Sequence, residues 1–347
     1  MFEAIILACL NQAEDVCRAQ LLPGYEAEVS EDCQARLQEA PPDLTRFDGL
    51  VFKGAPTCEP IGAPLSVEEV APGVFVHLGA VAEPDTTNKG DVSNMGFVIG
   101  TSSVAVFDAG TTRWIGEGLW RAIRAETDLP VTHVILSHMH PDHIFGAGVF
   151  EEAGARMLGH AHLPRAISDR QINYLESLTR LAGEQSMIGT QAVTALNPVT
   201  DGQTIDLGQR QITLRVWPTS HTGTDITALD EETGTLFAGD LVFDAHLPTL
   251  DGNLLGWQRV LTDLADIPAE RVIPGHGGPV LPWPDAAAPV LRYLKVLEDD
   301  TRAALDEGQR LSEAVPNIAS SEADKWELFD VHNPRNATVA FTELEWE

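Results

Sequence analysis

The chain has 347 residues, of which 44% are hydrophobic and 21% are charged, which is enough to build one large and one small folded domain. It carries 52 acidic against 22 basic residues, and a surface with a formal net charge of −30 repels nucleic-acid backbones and anionic membranes. We therefore exclude nucleic acid as a partner, and no apolar stretch reaches the roughly 18 residues that a membrane span requires.

All the cysteines lie in the first 58 residues, at Cys9, Cys17, Cys33 and Cys58. An even number of cysteines in so short a stretch predicts disulfides. Pairing of the first cysteine with the second, and of the third with the fourth, is favoured because Ile5–Leu10 and Val16–Leu22 are predicted strands around a polar turn. Free thiols and a structural zinc site remain alternatives, although the spacings lack the close cysteine pairs of zinc modules.

Two observations on the cellular compartment disagree. The cysteine pattern favours an oxidising compartment such as the periplasm. The apolar run Ala4–Leu10, however, is too short for the core of a signal peptide and follows no Lys or Arg. We favour the periplasm slightly over the cytoplasm and leave the compartment open.

A turn-rich stretch at residues 54–64 predicts a boundary between a small N-terminal domain, residues 1–62, and a larger domain, residues 63–347. In the larger domain, Gly96–Ile99 and Val104–Phe107 flank a polar turn and predict a hairpin. The next predicted elements are the strands Val74–Leu78, Val131–Leu136 and Ala155–Leu158, the helix Thr112–Glu126 and a helix from Asp142 towards Phe150.

Residues 163–195 have helical spacing, with Ile167, Ile172, Leu175, Leu178 and Leu181 on one side. We expect a helical insertion there, and it either covers the mouth of a site or packs in the core; the same alternatives hold for the predicted helix Ala286–Glu307. The remaining predicted elements are the strands Thr204–Leu207, Gln211–Val216, Ile226–Asp230, Thr235–Ala238 and Arg271–Ile273 and the helix Trp257–Leu264. Strand groups interleaved with helices indicate a layered α/β architecture.

Metal-ligating side chains are concentrated between residues 138 and 143. His138 and His140, two positions apart in an extended loop, point the same way and can bind one ion. Asp142 and His143, at the turn into a helix, face a neighbouring position, and Pro141 stiffens the loop between the two pairs. Imidazole and carboxylate ligands without thiolate suit zinc best and also iron or manganese. The competing interpretation is a polar loop with surface histidines.

This segment resembles the HxHxDH signature of the metallo-β-lactamase superfamily. Further motifs resemble those of the same family in the expected order, at residues 106–110, 220–223, 237–240 and 274–277. The resemblance implies an α/β (α+β) fold, an αββα sandwich with two zinc ions per chain at the edge between two sheets. The ligands that it implies are His138, His140 and His221 for one zinc, Asp142, His143 and His276 for the other, and Asp240 as the bridge.

By the same resemblance, the protein is a zinc-dependent hydrolase that uses a metal-bridging hydroxide on the carbonyl of a small-molecule ester, thioester, lactone or amide. Asp240 favours thioesters and lactones, because the antibiotic-hydrolysing lactamases usually carry Cys or Ser there. Asp142 and His246 are the candidate catalytic residues, and His246 would donate a hydrogen bond to the developing oxyanion. Asp108 is expected to fix a ligand histidine, and Asn94 is interpreted as a turn residue.

The N-terminal segment carries a narrower resemblance, to the quinoprotein relay system zinc metallohydrolases, through Cys9, Cys17, the run Leu22–Tyr25 and Cys33. It implies a link to pyrroloquinoline quinone-dependent periplasmic oxidation and a partner protein of that system. Two alternatives of other classes remain. One is a non-haem iron oxidoreductase of the same fold, although no flavin domain is visible. The other is a non-catalytic module that binds a partner through its N-terminal segment.

Overall fold

The computed structural model describes residues 1–47, 49–193, 196–278 and 280–346. The N-terminal part forms a three-stranded antiparallel sheet in the order β2–β1–β3. Its elements are β1 Phe2–Leu10, β2 Ala13–Ala27, α1 Ser30–Glu39, a 3-10 helix Leu44–Arg46 and β3 Leu50–Pro60. Ala4, Ile6 and Leu22 are buried in a small core under α1.

Two disulfides hold this sheet, and they confirm the favoured pairing. Cys9 lies opposite Cys17 in the β1–β2 register and is bonded to it, whereas the disulfide Cys33–Cys58 ties α1 to β3. The turn interpretation of residues 54–60 is wrong, because β3 continues to Pro60. Because β3 is an edge strand, it forms ladder hydrogen bonds with β1 on one side only, and Gly and Pro are tolerated there. The domain boundary at residue 62 stays a prediction.

A seven-stranded sheet follows in the order β10–β9–β8–β7–β6–β5–β4. Its strands from β7 to β10 pair in parallel and the others pair antiparallel. The elements are β4 Glu68–Ala71, β5 Val74–His77, β6 Met95–Ile99, β7 Val104–Phe107, α2 Arg113–Glu126, β8 Val131–Ile135, α3 Pro141–Ile144, α4 Gly148–Glu152, β9 Arg156–Gly159, α5 Leu163–Ala182, α6 Glu184–Met187 and β10 Leu196–Pro198.

A six-stranded sheet contains the rest of the strands, in the order β11–β12–β13–β14–β15–β16. Only β14 and β15 pair in parallel among these described strands. The elements are β11 Thr204–Asp206, β12 Gln211–Val216, β13 Ile226–Asp230, β14 Thr235–Phe243, α7 Leu254–Leu264, β15 Arg271–His276, β16 Leu281–Pro282, α8 Ala287–Asp306, α9 Leu311–Ala314, a 3-10 helix Ser320–Lys325 and α10 Phe329–Leu344.

Three hydrophobic cores define the layers. One lies between the two large sheets and includes Phe107 and Phe237, whose ring centroids are 5.2 Å apart. A second packs α2 and α5 on the outer face of the seven-stranded sheet, and a third packs α7, α8 and α10 on the six-stranded sheet. The predicted αββα sandwich is therefore confirmed. Within the described residues, no helix combines the length and apolarity needed to cross a bilayer.

Two helix predictions are corrected. The single helix expected from Asp142 towards Phe150 is two short helices, α3 and α4. Between them the N–H of Gly146 donates to the carbonyl oxygen of Gly110 at 2.9 Å instead of continuing the helix, and a Cβ at Gly146 would lie 2.0 Å from the carbonyl oxygen of Ala109. Helix α5 ends at Ala182, residues 188–193 are not helical, and residues 194–195 lie outside the described residues. Ile172, expected on the apolar side, is 68% exposed.

Candidate metal centre

The predicted ligand side chains converge at one edge of the sandwich, where loops and strand ends of both sheets meet. His138 and His140 follow β8, and Asp142 and His143 lie on α3. From the other sheet, the loop after β12 carries His221, strand β14 carries Asp240 and strand β15 carries His276. The ligand atoms form two groups, each within 4.8 Å, which are His138, His140, His221 and Asp240, and Asp142, His143 and His276.

The first group has the spacing of a tetrahedral metal shell. Nδ1 of His140 lies 3.0 Å from Nε2 of His138 and 3.0 Å from Nε2 of His221. Oδ2 of Asp240 lies 3.6 Å from Nε2 of His138 and 3.4 Å from Nε2 of His221. Ligands about 2.0–2.1 Å from a tetrahedral centre are separated from each other by roughly 3.3–3.4 Å. The four donors can therefore surround one cation.

The second group shares a carboxylate with the first. Oδ2 of Asp142 lies 3.3 Å from Nε2 of His276 and 3.5 Å from Nε2 of His143. Asp240 also reaches these histidines, with Oδ1 3.1 Å from Nε2 of His143 and Oδ2 3.4 Å from Nε2 of His276. Asp240 thus stands between the two groups and can serve both.

The outer ring nitrogen of each histidine faces a hydrogen-bond acceptor. An outer nitrogen that donates carries the proton of the neutral ring, so the inner nitrogen presents a lone pair. Lone pairs 3.0 Å apart repel unless a cation lies between them. The outer contacts are His138 Nδ1 to Ser137 Oγ at 2.9 Å, His140 Nε2 to Asp251 Oδ2 at 3.2 Å, His143 Nδ1 to Asp108 Oδ2 at 2.8 Å, His221 Nδ1 to Thr249 O at 2.6 Å and His276 Nδ1 to Val92 O at 2.9 Å.

Two buried polar atoms at the centre lack a hydrogen-bond partner among the described residues. They are Nε2 of His143 and Oδ1 of Asp240, which lie 3.1 Å apart without an aligned hydrogen bond. A buried polar atom without a partner costs about 1–3 kcal/mol, and a cation held by both atoms removes that cost. The residues present therefore fit a divalent metal.

The pKa values describe a metal-free cluster whose carboxylates attract positive charge. Burial and the neighbouring imidazoles hold the pKa of His138 well below its ordinary value, so this ring is neutral. Burial opposes ionisation of Asp240, but the imidazoles of His276 and His143 outweigh it and hold its pKa low. Burial also lowers the pKa of His276, yet Asp240 and Asp142 outweigh it and raise that pKa to about 10. Ionised carboxylates that draw positive charge into the cluster are the ligand form that binds cations.

Buried groups outside the ligand set hold the loops in place. Asp108, at φ 59°, accepts hydrogen bonds from His143 Nδ1 and from both N and Oγ of Ser137, each 2.8 Å long. Asn94, interpreted above as a turn residue, is instead buried and donates to the carbonyl oxygens of Pro274 and Gly277 beside His276. The interpretation as a turn residue therefore missed that Asn94 holds the segment around His276 in place.

A glycine and an acidic residue complete the surroundings. Gly275 lets β14 and β15 approach closely, since a Cβ there would lie 2.0 Å from Oδ1 of Asp240. Asp251 accepts from His140, and sequence reasoning missed it because it belongs to no motif and lies 111 positions further along the chain.

His246 lies beside the cluster, with its ring centroid 4.8 Å from that of His276. Its Nδ1 donates to the carbonyl oxygen of Leu247 at 2.7 Å, which leaves Nε2 as an acceptor in the neutral ring. Burial, together with His276 and His332, lowers the pKa of His246 to about 3. The ring is therefore neutral at physiological pH.

A pocket of about 510 Å³ opens onto the centre. His140, Asp142, Asp240, His246 and His276 all contribute to its lining. Helices α5 and α10 supply further lining residues, and Leu178 and Leu181 are apolar residues among them. No described residue of α8 lines this pocket; that helix packs in the core of the six-stranded sheet.

Comparisons with known proteins agree with this geometry. The model of the metallo-β-lactamase superfamily matches residues 88–276. The chain is 26% identical over 209 residues to the acyl-coenzyme A thioesterase MBLAC2 of Bos taurus, covering 54% of this chain and 74% of that protein.

Solved structures share the fold at low sequence identity. The metallo-β-lactamase family protein TTHA1429 of Thermus thermophilus has a TM-score of 0.58 at 21% identity, covering 80% of this chain and 94% of that one. The sec-alkylsulfatase Pisa1 of Pseudomonas sp. has a TM-score of 0.61 at 14% identity, covering 80% of this chain and 50% of that one. Five motifs in order, the αββα sandwich and a family match over more than half of the chain lead to one conclusion: this chain belongs to the metallo-β-lactamase superfamily and is a metal-dependent hydrolase.

Proposed function

We propose that this protein is a hydrolase with two zinc ions that cleaves a thioester or lactone, with esters as further substrates. The observation that carries the proposal is the position of Asp240 between two complete donor groups. His138, His140 and His221 would hold one ion, and Asp142, His143 and His276 the other. Nitrogen and oxygen ligands without thiolate are typical of zinc sites that do chemistry. When bound, a pair of divalent cations supplies an ionised water at neutral pH and polarises a carbonyl oxygen.

The chain's own residues would orient the reactants. Asp142 lines the pocket, and its pKa lies below its usual range because His143 and His276 outweigh its burial. An ionised carboxylate there accepts a hydrogen bond from the attacking water and fixes its orientation. His246 would need a proton on Nε2 to donate to an oxyanion, whereas the contact of its Nδ1 with the carbonyl oxygen of Leu247 favours the tautomer protonated on Nδ1. We propose instead that Nε2 of His246 accepts a hydrogen bond from the substrate.

The substrate class rests on two supports. The residue between the donor groups is Asp240, and an aspartate at this position is a feature of the thioesterases and lactonases of the family rather than of its antibiotic-hydrolysing members. The relative from Bos taurus is named as an acyl-coenzyme A thioesterase. We therefore place thioesters first, lactones second and amides last.

A substrate panel tests the proposal. Protein loaded with two equivalents of zinc is assayed with an acyl thioester, an acyl lactone, a p-nitrophenyl ester and the β-lactam nitrocefin. We expect thioester hydrolysis to exceed β-lactam hydrolysis. Asp240→Asn should reduce the rate of thioester hydrolysis about 1,000-fold, because the loss of several kcal/mol of transition-state charge stabilisation lowers a rate by that factor. Asp206→Asn, which changes an exposed carboxylate at the end of β11, is the matched control and leaves the rate unchanged.

Other outcomes favour the alternatives. No hydrolysis of any substrate by zinc-loaded protein contradicts the proposal. Iron as the dominant metal of the purified protein, with oxygen consumption, supports the non-haem iron oxidoreductase. If Asp142→Ala leaves every rate unchanged, the non-catalytic partner-binding module gains support.

We also propose, from the cysteines and from the resemblance of the N-terminal segment noted above, that the protein works in the periplasm with a quinoprotein-system partner. The disulfides Cys9–Cys17 and Cys33–Cys58 support an oxidising compartment. Thiol titration of the protein from its source cells tests this step. Four free thiols in the freshly isolated protein would contradict it.

A further inference from the structure

Two arginines from different helices meet on one carboxylate at the wall of the pocket. Nη1 of Arg170, on α5, donates to Oδ2 of Asp251, and Nη2 of Arg335, on α10, donates to Oδ1 at 3.1 Å. The same Oδ2 accepts from Nε2 of the metal ligand His140 at 3.2 Å. The two guanidinium groups therefore lie next to each other, close to the first donor group.

The charges in this cluster do not cancel. Two guanidinium groups face the single carboxylate of Asp251, and the one further contact given for Arg170 is the hydroxyl of Tyr174 at 3.4 Å. Among the described residues, no second carboxylate contacts either arginine. In a chain with a net charge of −30, two arginines that share one carboxylate leave a local excess of positive charge at this wall of the pocket.

Both arginines have donors to offer to a ligand. Their side chains are 40% and 61% exposed and line the pocket together with the metal ligands. A guanidinium carries five N–H donors, and those directed at Asp251 and Tyr174 use only part of them. The acidic residue Glu83, also in the lining, lies 2.9 Å from Nε2 of His332. Among the described residues it forms no ion pair with either arginine.

We propose that Arg170 and Arg335 form a subsite for an anionic group of the substrate, either a carboxylate or a phosphate. The proposal rests on the hydrolase function above and deepens it: the substrate is a thioester or lactone that carries a negative charge at a distance from its reactive carbonyl. Guanidinium groups bind both kinds of anion through paired hydrogen bonds. Leu178 and Leu181 supply apolar surface in the same pocket for the uncharged part of the substrate.

The purely structural explanation is that Asp251 and the two arginines only tie α5 to α10 and steady His140. The two explanations differ in what the arginines recognise. A structural tie affects every substrate alike, whereas an anion subsite affects only charged substrates, and it does so through KM.

The experiment compares the hydrolysis of three thioesters by zinc-loaded protein. Butanoyl-N-acetylcysteamine is neutral, succinyl-N-acetylcysteamine carries a carboxylate on the acyl side, and butanoyl-4′-phosphopantetheine carries a phosphate on the thiol side. For Arg170→Gln and Arg335→Gln we expect KM to rise about tenfold for one charged thioester, with kcat and the neutral thioester unchanged. The thioester affected identifies the source of the anion. Arg165→Gln is the matched control, since Arg165 lies on the same helix with a side chain 83% exposed.

A binding measurement keeps the subsite separate from the hydrolase proposal. Calorimetry with inorganic phosphate and with succinate uses the wild type, the double variant Arg170→Gln/Arg335→Gln and Arg165→Gln. We expect the double variant alone to bind one of these anions at least about fivefold more weakly. Equal binding by all three proteins, or equal losses on neutral and charged thioesters, overturns the subsite while hydrolysis stands. If no thioester is hydrolysed, the function fails, and the anion titration still decides the subsite.

Discussion

Asp108→Asn should weaken the second donor group without changing the shape of the site. Asp108 is buried and accepts from His143 Nδ1, Ser137 N and Ser137 Oγ, each at 2.8 Å. Its φ of 59° is in the left-handed region, which asparagine tolerates better than most residues. The substitution therefore changes hydrogen bonding and charge rather than volume.

The effect follows from where the new amide group points. If its NH₂ faces His143, Nδ1 must accept, and the ring proton moves to Nε2, where it blocks the lone pair that binds metal. If its NH₂ faces the Ser137 N–H, two donors oppose each other in a buried place. The first arrangement lowers metal affinity about 10–100-fold, and the second costs about 1–3 kcal/mol of the unfolding free energy.

Two assays separate these effects. Competition against a zinc chelator gives the affinity of each site, and urea unfolding in EDTA gives the stability of the metal-free protein. We expect the weaker zinc of Asp108→Asn to dissociate at least about tenfold more readily, with Asp206→Asn like the wild type. Zinc affinity within about twofold of the wild type, together with an unchanged unfolding free energy of the metal-free protein, would refute the orienting role of Asp108.

Three further outcomes concern stability. Replacing the disulfide Cys33–Cys58 by two serines opens a loop with a sequence separation of 25 and should cost about 3–4 kcal/mol in urea unfolding; a loss below about 1 kcal/mol would contradict the tie between α1 and β3. Arg113→Met removes the arginine that pairs with Glu152 and leaves Glu117 with Arg18. It should cost about 3–5 kcal/mol, or abolish soluble expression, whereas a stability equal to that of the wild type would show that the network is unimportant. Burial lowers the pKa of His77, but its contact with Asp91 outweighs burial and raises the pKa above 6.5. The stabilisation of the fold by the His77–Asp91 pair is therefore complete below pH 6.5 and is lost as the pH rises through the folded-state pKa. His77→Gln should therefore be less pH-dependent than the wild type in urea unfolding between about pH 6 and pH 9, and parallel pH profiles would refute it.

The convergence of the candidate ligands could be predicted because their chemistry is concentrated in the sequence. His138, His140, Asp142 and His143 stand together, and their residue types bind metals at that spacing. The later ligands follow in motifs whose order is typical of the family. Their convergence in space required the sandwich, and its strands could be predicted because short apolar runs between turn signals mark buried strands.

Other features had no local signal. Asp251 reaches His140 from a loop far along the chain, and a lone acidic residue has no pattern that indicates a contact. Helix α10 contains Pro334 and has only weak amphipathic spacing, so it was not predicted, although it supplies one wall of the pocket. Strand β3 carries Gly54 and Pro56, which indicate turns, yet pairing with β1 across the sheet makes it a strand. In each case tertiary contacts decide what the local sequence leaves open.

The most direct test of the metal centre is an anomalous difference map from crystals of zinc-soaked protein, measured above the zinc absorption edge. We expect two peaks, one about 2.0–2.2 Å from Nε2 of His138, Nδ1 of His140 and Nε2 of His221, and the other at similar distances from Asp142, His143 and His276. Asp240 should lie between them. A single peak, or peaks away from these seven side chains, would contradict a two-zinc centre.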